Sequence, residues 1–218
     1  MVRRMTTILA PAVERYVAGL VPAPDPLLAE MNAHGERDGI PIVVPETGAL
    51  LAVLARAVGA RRVVEVGTAI GVSTLHLARA VGDGGLVTSF EIDPARHSAA
   101  REYLTRAGMI DRTDLRLQDA SEGLHELEGS VDMAFLDGLK DDYPAHLELA
   151  LRHVRSGGLV AVDNVLLSGT VATGRGEGYW TDEHVARMRE FNHRLTTDPE
   201  LEATVLPVGD GVAVAVRR

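Results

Sequence analysis

The sequence predicts an α/β fold: a Rossmann-like, doubly wound, mostly parallel seven-stranded sheet with an antiparallel C-terminal hairpin strand and N-terminal helices. Three observations carry this. From Arg61 onward short apolar runs alternate with helical stretches, the pattern of strand–helix units that build a parallel sheet. Two later apolar runs, 203–208 and 212–216, are joined by Gly209-Asp210-Gly211, which reads as a hairpin. The residues before 59 are helical in pattern and punctuated by prolines.

In chain order, 12–20 is a short helical pattern, and Pro22, Pro24 and Pro26 mark a connection. Pro26 sits where a helix through Leu27, Leu28 and Met31 can begin, since proline is tolerated at the first helical position. A third helix opens at Pro45-Glu46-Thr47, carries Leu50, Leu51, Val53, Leu54 and Val58, and stops at Gly59. The apolar runs 63–67, 86–91, 114–117, 131–137 and 159–163 are the expected parallel strands. Helices are expected near 72–81, 95–107, 121–127 and 143–154, and another from Thr181 to about Thr196. A chain of 218 residues fits one domain, with 1–58 as a helical extension and 59–218 as the binding and catalytic core.

Composition narrows the function. With 46% hydrophobic and 24% charged residues the chain is globular rather than disordered. A net charge of −9 argues against broad binding to nucleic acid phosphates. The absence of cysteine excludes disulfides, thiolate metal sites and a cysteine nucleophile. No apolar run approaches the roughly 20 residues that span a bilayer. Residues 1–13 resemble a signal peptide only faintly, because Pro11 interrupts them and Glu14-Arg15 follows without a cleavage site. A cytoplasmic protein is expected.

Each parallel strand ends in, or just before, an acid: Glu65, Glu91, Asp119, Asp137 and Asp163. In an open parallel sheet these ends line one edge, where ligands bind. Acids also commonly start the following helix as caps, which explains any one or two of them. Five in succession predict a rim that receives a cationic ligand or a metal. The first turn, Glu65-Val66-Gly67-Thr68-Ala69-Ile70-Gly71, lacks the G-x-G-x-x-G spacing of pyrophosphate-binding folds; its glycines say only that the backbone comes close to something. Glu91 is placed to accept hydrogen bonds from two ribose hydroxyls. A nucleoside with positive charge and no phosphate, such as S-adenosylmethionine, suits this rim; NAD, with its pyrophosphate, does not.

The 22 basic side chains are 21 arginines and a single lysine, Lys140, three residues after Asp137. A neighbouring cation can depress a lysine pKa enough for it to lose its proton, whereas arginine stays charged, so a position that must act as a base resists arginine. The competing explanation is a chance survivor on a helix surface. Asp137, Asp163 and Asn164 together offer oxygen-only donors, which suit a hard divalent ion such as Mg²⁺. His146 and His153, seven apart, share a helix face and are expected to be partly exposed. The segment 166–179 has four glycines and precedes Trp180; it reads as a candidate lid, with Tyr179 and Trp180 able to cover a flat aromatic substrate.

The strings Val63-Val64-Glu65-Val66-Gly67-Thr68, Phe135-Leu136-Asp137-x-x-Lys140 and Asp163-Asn164-Val165-Leu166 resemble the cation-dependent, S-adenosylmethionine-dependent O-methyltransferases. That family includes caffeoyl-coenzyme A and catechol methyltransferases and many small bacterial enzymes. Phe191-Asn192 and Leu206-Pro207-Val208-Gly209-Asp210-Gly211 are similar to its closing motifs, and the resemblance runs from about Pro41 onward. It implies that Val43, Glu65, Gly67, Thr68, Ser73, Glu91 and Ala120 contact the cofactor, with Asp137 at the border between cofactor and metal. It implies Asp137, Asp163 and Asn164 as the Mg²⁺ ligands and Lys140 as the catalytic base. The implied reaction is methyl transfer to one of two adjacent hydroxyls of an aromatic diol. Leu139 departs from the second acid common before the lysine, and Val72 from a frequent aromatic, which bears on the substrate rather than the chemistry.

Two other functions fit the same fold. Methylation of a hydroxylated tRNA base is opposed by the net charge, although Arg3, Arg4, Arg61 and Arg62 could form a basic patch. A catalytically idle binding protein is opposed by the completeness of the ligand set. Family analogy and apolar faces on the N-terminal helices lead to the expectation of a homodimer.

Overall fold

The structure is a computed structural model that describes residues 10–218. The signal-like stretch 1–9, with Arg3 and Arg4, lies outside the described residues.

Proline begins most of the helices before the sheet is complete. Its fixed φ and missing N–H match the first helical turn, where the N–H groups have no intrahelical acceptor. It stands in the first two positions of α1 (Pro11–Ala18), α2 (Pro26–Asp38) and α3 (Pro45–Ala57). Asp25 caps α2 by accepting from the Leu28 N–H, and Gly39 ends it in a left-handed conformation. The α1 helix buries nothing, whereas α2 buries Leu28, Met31 and Gly35.

Strand–helix units follow: β1 (Arg62–Val66), α4 (Val72–Ala80), β2 (Leu86–Glu91), α5 (Pro94–Arg106), β3 (Thr113–Leu117), α6 (Ala120–Glu126), β4 (Val131–Leu136), α7 (Tyr143–His153) and β5 (Val154–Val162). The chain continues through α8 (Thr170–Thr173), α9 (Asp182–Thr197), β6 (Leu201–Leu206) and β7 (Val212–Arg217). The sheet order is β3-β2-β1-β4-β5-β7-β6. The first five strands pair in parallel, and β7 lies antiparallel between β5 and β6. The expected fold is therefore present.

Alternation along the central strands divides the core between the two faces. Val64, Val66, Ala134 and Leu136 pack with Tyr143, Leu147 and Phe191 on one side. Val63, Met133 and Phe135 pack on the other with Leu51, Leu75 and Met31. Since α2 and α3 contribute to this second layer, the helical extension is fused to the sheet from α2 onward.

Two boundaries differ from expectation. The strand expected at 203–208 runs from Leu201 to Leu206, because Pro207 has no N–H for a ladder. Residues 207–211 then form a five-residue connection rather than a tight turn. β5 starts at Val154, not near 159; its register against β4 shifts between Val131 and Met133, which accommodates Gly157 and Gly158.

Strand order reverses at β1, which is flanked by β2 and β4. The ligand crevice expected beyond the carboxyl ends at such a switch falls between the exits of β1 and β4. Glu65 and Gly67 stand at one exit and Asp137 at the other.

Candidate active site at the switch point

The turn from β1 to α4 is left-handed at Gly67 (φ 93°), Ala69 (φ 47°) and Gly71 (φ 89°). A Cβ on Gly67 would lie 2.5 Å from the Asp137 carbonyl oxygen. The close approach that requires this glycine is thus to the neighbouring strand exit. The Gly67 and Thr68 N–H groups share the Phe90 carbonyl, which fixes the turn against β2.

Beneath this turn Glu65 is fully buried. Its Oε2 accepts from the Thr74 hydroxyl at 2.5 Å and the Ser89 hydroxyl at 2.6 Å, and Thr68 shares a hydrogen bond with Ser89. The Ser73 hydroxyl also lies against the carboxyl. Burial nevertheless pushes the Glu65 pKa up to about 6, and its Oε1 has no partner. Such an atom wants a donor.

Glu91 is built differently. Oε2 accepts from the Ala69 N–H and Oε1 from the N–H groups of Ile92 and Asp93. Three of roughly four acceptor positions are taken by backbone, so less remains for a ribose than the sequence suggested. Asp119 caps α6 through the N–H groups of Ser121 and Glu122, the ordinary role of an acid at a helix start. Ala120 follows it, buried. Val43 is buried in the second apolar layer beside α3, whose cap residue Val44 lies against Gly209. The acid rim is therefore largely self-satisfied, and cation demand concentrates at Asp137, Asp163 and Glu65.

Lys140 Nζ donates to Asp137 Oδ1 at 2.9 Å, the Gly138 carbonyl at 3.2 Å and the Tyr143 hydroxyl at 2.8 Å. Tyr143 in turn donates to the Asp163 carbonyl at 2.8 Å, tying the exits of β4 and β5 together. Burial disfavours the ammonium, but Asp137 and Tyr143 outweigh it and raise the Lys140 pKa. The charged neighbour of Lys140 among the described side chains is thus an anion, Asp137. Asp163 accepts from the Asn164 N–H at 2.8 Å, and Asn164 is left-handed (φ 56°). Burial, with Asp137 adding to it, pushes the Asp163 pKa up to about 8. Among the described residues no group of three or more His, Cys, Asp and Glu side chains could hold a metal ion; the expected ligands Asp137, Asp163 and Asn164 amount to two carboxylates and one amide.

The segment after Asn164 is folded rather than open. It includes α8 and a bridge between Glu177 and Trp180, and the Trp180 indole N–H lies 3.4 Å from the Ser168 hydroxyl. Tyr179 meets Trp180 edge-on and stacks on His184.

Several side chains here have surroundings that sequence spacing does not show. Tyr143, three residues after Lys140, is one. His146 is 4% exposed, not partly exposed, and its unpartnered Nδ1 lies near Gly138, just after Asp137. Burial lowers its pKa. His153 is the partly exposed member, its two nitrogens bonded to the Gly129 and Leu124 carbonyls. Ile92 and Leu139 stand exposed beside Glu91 and Asp137.

A doubly wound sheet whose switch point holds a buried carboxyl cluster and a lysine–carboxylate pair defines an α/β protein with its ligand crevice between β1 and β4. The chain belongs to the O-methyltransferase family, whose model matches residues 26–218. It is 35% identical over 195 residues to a presumed O-methyltransferase of Mycolicibacterium smegmatis, covering 88% of this chain and 91% of that one. It also matches the solved O-methyltransferase of Bacillus cereus in complex with S-adenosylhomocysteine, at 30% identity and a TM-score of 0.83, covering 95% and 97% of the two chains. The Streptomyces achromogenes O-methyltransferase TomG, solved with S-adenosylmethionine, matches at 29% identity and a TM-score of 0.82, covering 94% and 96%. No helix among the described residues is long and apolar enough to cross a membrane.

Proposed function

We propose that the protein transfers a methyl group from S-adenosylmethionine to one hydroxyl of a catechol-like small molecule, with Mg²⁺ or another divalent ion bound at Asp137, Asp163 and Asn164. The observation that carries the reading is the pairing of two strand-end acids, Asp137 and Asp163, beside Lys140. Two relatives solved with the donor or its demethylated product support the cofactor.

The residues fit both groups. Glu65 Oε1 is an orphaned acceptor in a buried position and suits the amino group of the methionine part. Exposed Ile92 and Leu139 supply apolar faces for a base, next to the acid expected at the ribose. Burial near Asp137 raises the Asp163 pKa, disfavouring two adjacent carboxylates, so a cation in reach of both would relieve the conflict. All three donors are oxygen, as a hard ion prefers.

When bound, the sulfonium supplies an electrophilic methyl and a neutral leaving group. The divalent ion supplies positive charge for the two oxygens of the diol. The chain does the rest. Asp137 holds Lys140 in place, and once Asp137 is engaged elsewhere the ammonium loses its strongest partner and can release a proton to solvent. The neutral Lys140 Nζ can then accept the acceptor hydroxyl's proton. Tyr143 fixes Nζ from the other side. Trp180 and Tyr179 are the aromatic side chains that would orient a flat ring and exclude water. The charge of −9 supports a small molecule over RNA.

Val13, Tyr16 and Val17 of α1, with Leu20 two residues beyond it, form an exposed apolar face that no other described residue covers, which supports a homodimer. Methylation of catechol with and without EDTA tests the main reading. Loss of turnover in EDTA, restored by Mg²⁺, is expected; undiminished turnover rejects the metal role.

A further inference from the structure

Among the described residues four that are not glycine have left-handed backbone: Ala69 (φ 47°), Asn164 (φ 56°), Leu167 (φ 45°) and Ser168 (φ 57°). All four lie at the carboxyl rim of the sheet. Side chains rarely adopt this conformation, and it persists where the surroundings over-determine it. In three of the four a carboxylate holds the strained residue's own N–H. Glu91 Oε2 takes the Ala69 N–H at 2.8 Å, Asp163 Oδ1 the Asn164 N–H at 2.8 Å, and Asp210 Oδ1 the Ser168 N–H at 2.5 Å. All three acids are buried.

Asp210 differs in reach, since it acts from the β6–β7 connection on a residue 42 positions earlier. The same connection accepts from the Leu166 N–H through the Asp210 carbonyl and from the Val165 N–H through the Gly211 carbonyl, both at 3.0 Å. Gly211 must be glycine for this contact: a Cβ there would lie 2.5 Å from the Leu166 side chain, and its φ is 84°. The clamped segment begins with Asn164, and its Ser168 hydroxyl lies against the Trp180 indole N–H.

We propose that Asp210 is a positioning residue for the acceptor side of the site. Its carboxylate holds Ser168 left-handed and, with the Asp210 and Gly211 carbonyls on Leu166 and Val165, fixes the course of residues 164–168, so that the Asn164 amide and the Trp180 ring are set together. The inference rests on the methyltransferase reading for its catalytic consequence, but its geometry can be read without turnover.

Trp180 is the only tryptophan, so its emission reports the segment directly. In Asp210→Ala the emission shifts to the red, and kcat on catechol falls by about tenfold or more, as misplacement near reacting groups predicts. The dissociation constant for S-adenosylhomocysteine stays within about threefold, because the Glu91 clamp on Ala69 is untouched. Glycine adopts a φ of 57° freely. Adding Ser168→Gly to Asp210→Ala therefore recovers most of the kcat lost relative to Ser168→Gly alone. A merely structural Asp210 lowers the melting temperature and S-adenosylhomocysteine affinity together and gains nothing from that addition. Hydrogen exchange on the intact chain covers the case in which Asp210→Ala does not fold: a protected Ser168 amide supports the clamp, and exchange at the rate of open loops overturns it. If the unaltered protein fails to bind S-adenosylhomocysteine, the methyltransferase reading fails instead. If it binds while Asp210→Ala leaves emission and kcat unchanged, the positioning role is rejected.

Discussion

Lys140 Nζ lies 2.9 Å from Asp137 Oδ1, so the chain's one lysine rests as the partner of an acid at the strand exit beside it. That contact favours the ammonium form against the cost of burying it. A base at this position needs the contact loosened, which links proton uptake by Lys140 to whatever else engages Asp137.

Lys140→Arg keeps the positive charge and removes easy deprotonation. The expected result is a fall in kcat of about 10²-fold, the lower end for loss of a general base. S-Adenosylhomocysteine affinity by calorimetry is expected to stay within about threefold. Unchanged kcat would make Lys140 structural.

Glu65 gives the apo protein a specific pH dependence. Burial raises its pKa from 4.5 to about 6. The folded state therefore binds this proton more tightly than the unfolded state does. The associated stability, about 2 kcal/mol, is complete below pH 4.5 and disappears as the pH rises through about 6. Melting temperature should fall across that window, and Glu65→Gln should flatten the slope. An ammonium bound at Oε1 favours the charged carboxylate, so S-adenosylhomocysteine binding should release a proton near pH 5.5–6, seen as buffer-dependent calorimetric heat. Glu65→Gln with the same slope as the parent would reject the assignment.

The uncovered face of α1 predicts a dimer at micromolar concentration. Tyr16→Glu with Leu20→Glu, both exposed in the monomer, should shift the mass by light scattering to one chain while leaving the melting temperature of the sheet domain within a few degrees. A monomeric parent would refute the dimer.

Much of the site was legible because parallel strands write themselves as apolar runs, and the residue ending each run must reach the ligand edge. Glu65, Asp137 and Asp163 are marked this way and Lys140 as the one lysine, and the structure brings Asp137, Lys140 and Asp163 together through Tyr143. What strand position cannot show is how each acid spends its lone pairs. Asp119 is taken up by a helix cap and Glu91 mostly by backbone, and nothing in their spacing distinguishes them from Asp137. Gly67 was legible as a close approach, but its neighbour, the Asp137 carbonyl, depends on tertiary pairing of β1 with β4. Asp210 looked like turn chemistry because glycines flank it; its partner Ser168 is distant in sequence. β6 was misplaced by two residues because Glu202 and Thr204 blur the apolar pattern of an edge strand.

The insertion of β7 between β5 and β6 also orders events in time. β5 ends at Val162 and its second neighbour begins at Val212, so about fifty residues separate the making of a strand from the making of its partner. On the ribosome Asp163 and Asn164 emerge with one flank of their strand unpaired, and the connection carrying Asp210 follows later still. The half of the crevice proposed to hold the cofactor, built from β1, β2 and α4, is complete in sequence well before then. Such late, long-range pairing is slow and leaves a strand edge open in the interval. On the proposed reading the nascent chain is a donor-binding half awaiting its acceptor half, and ligand captured early by the first would stabilise the intermediate against aggregation until the hairpin closes the sheet.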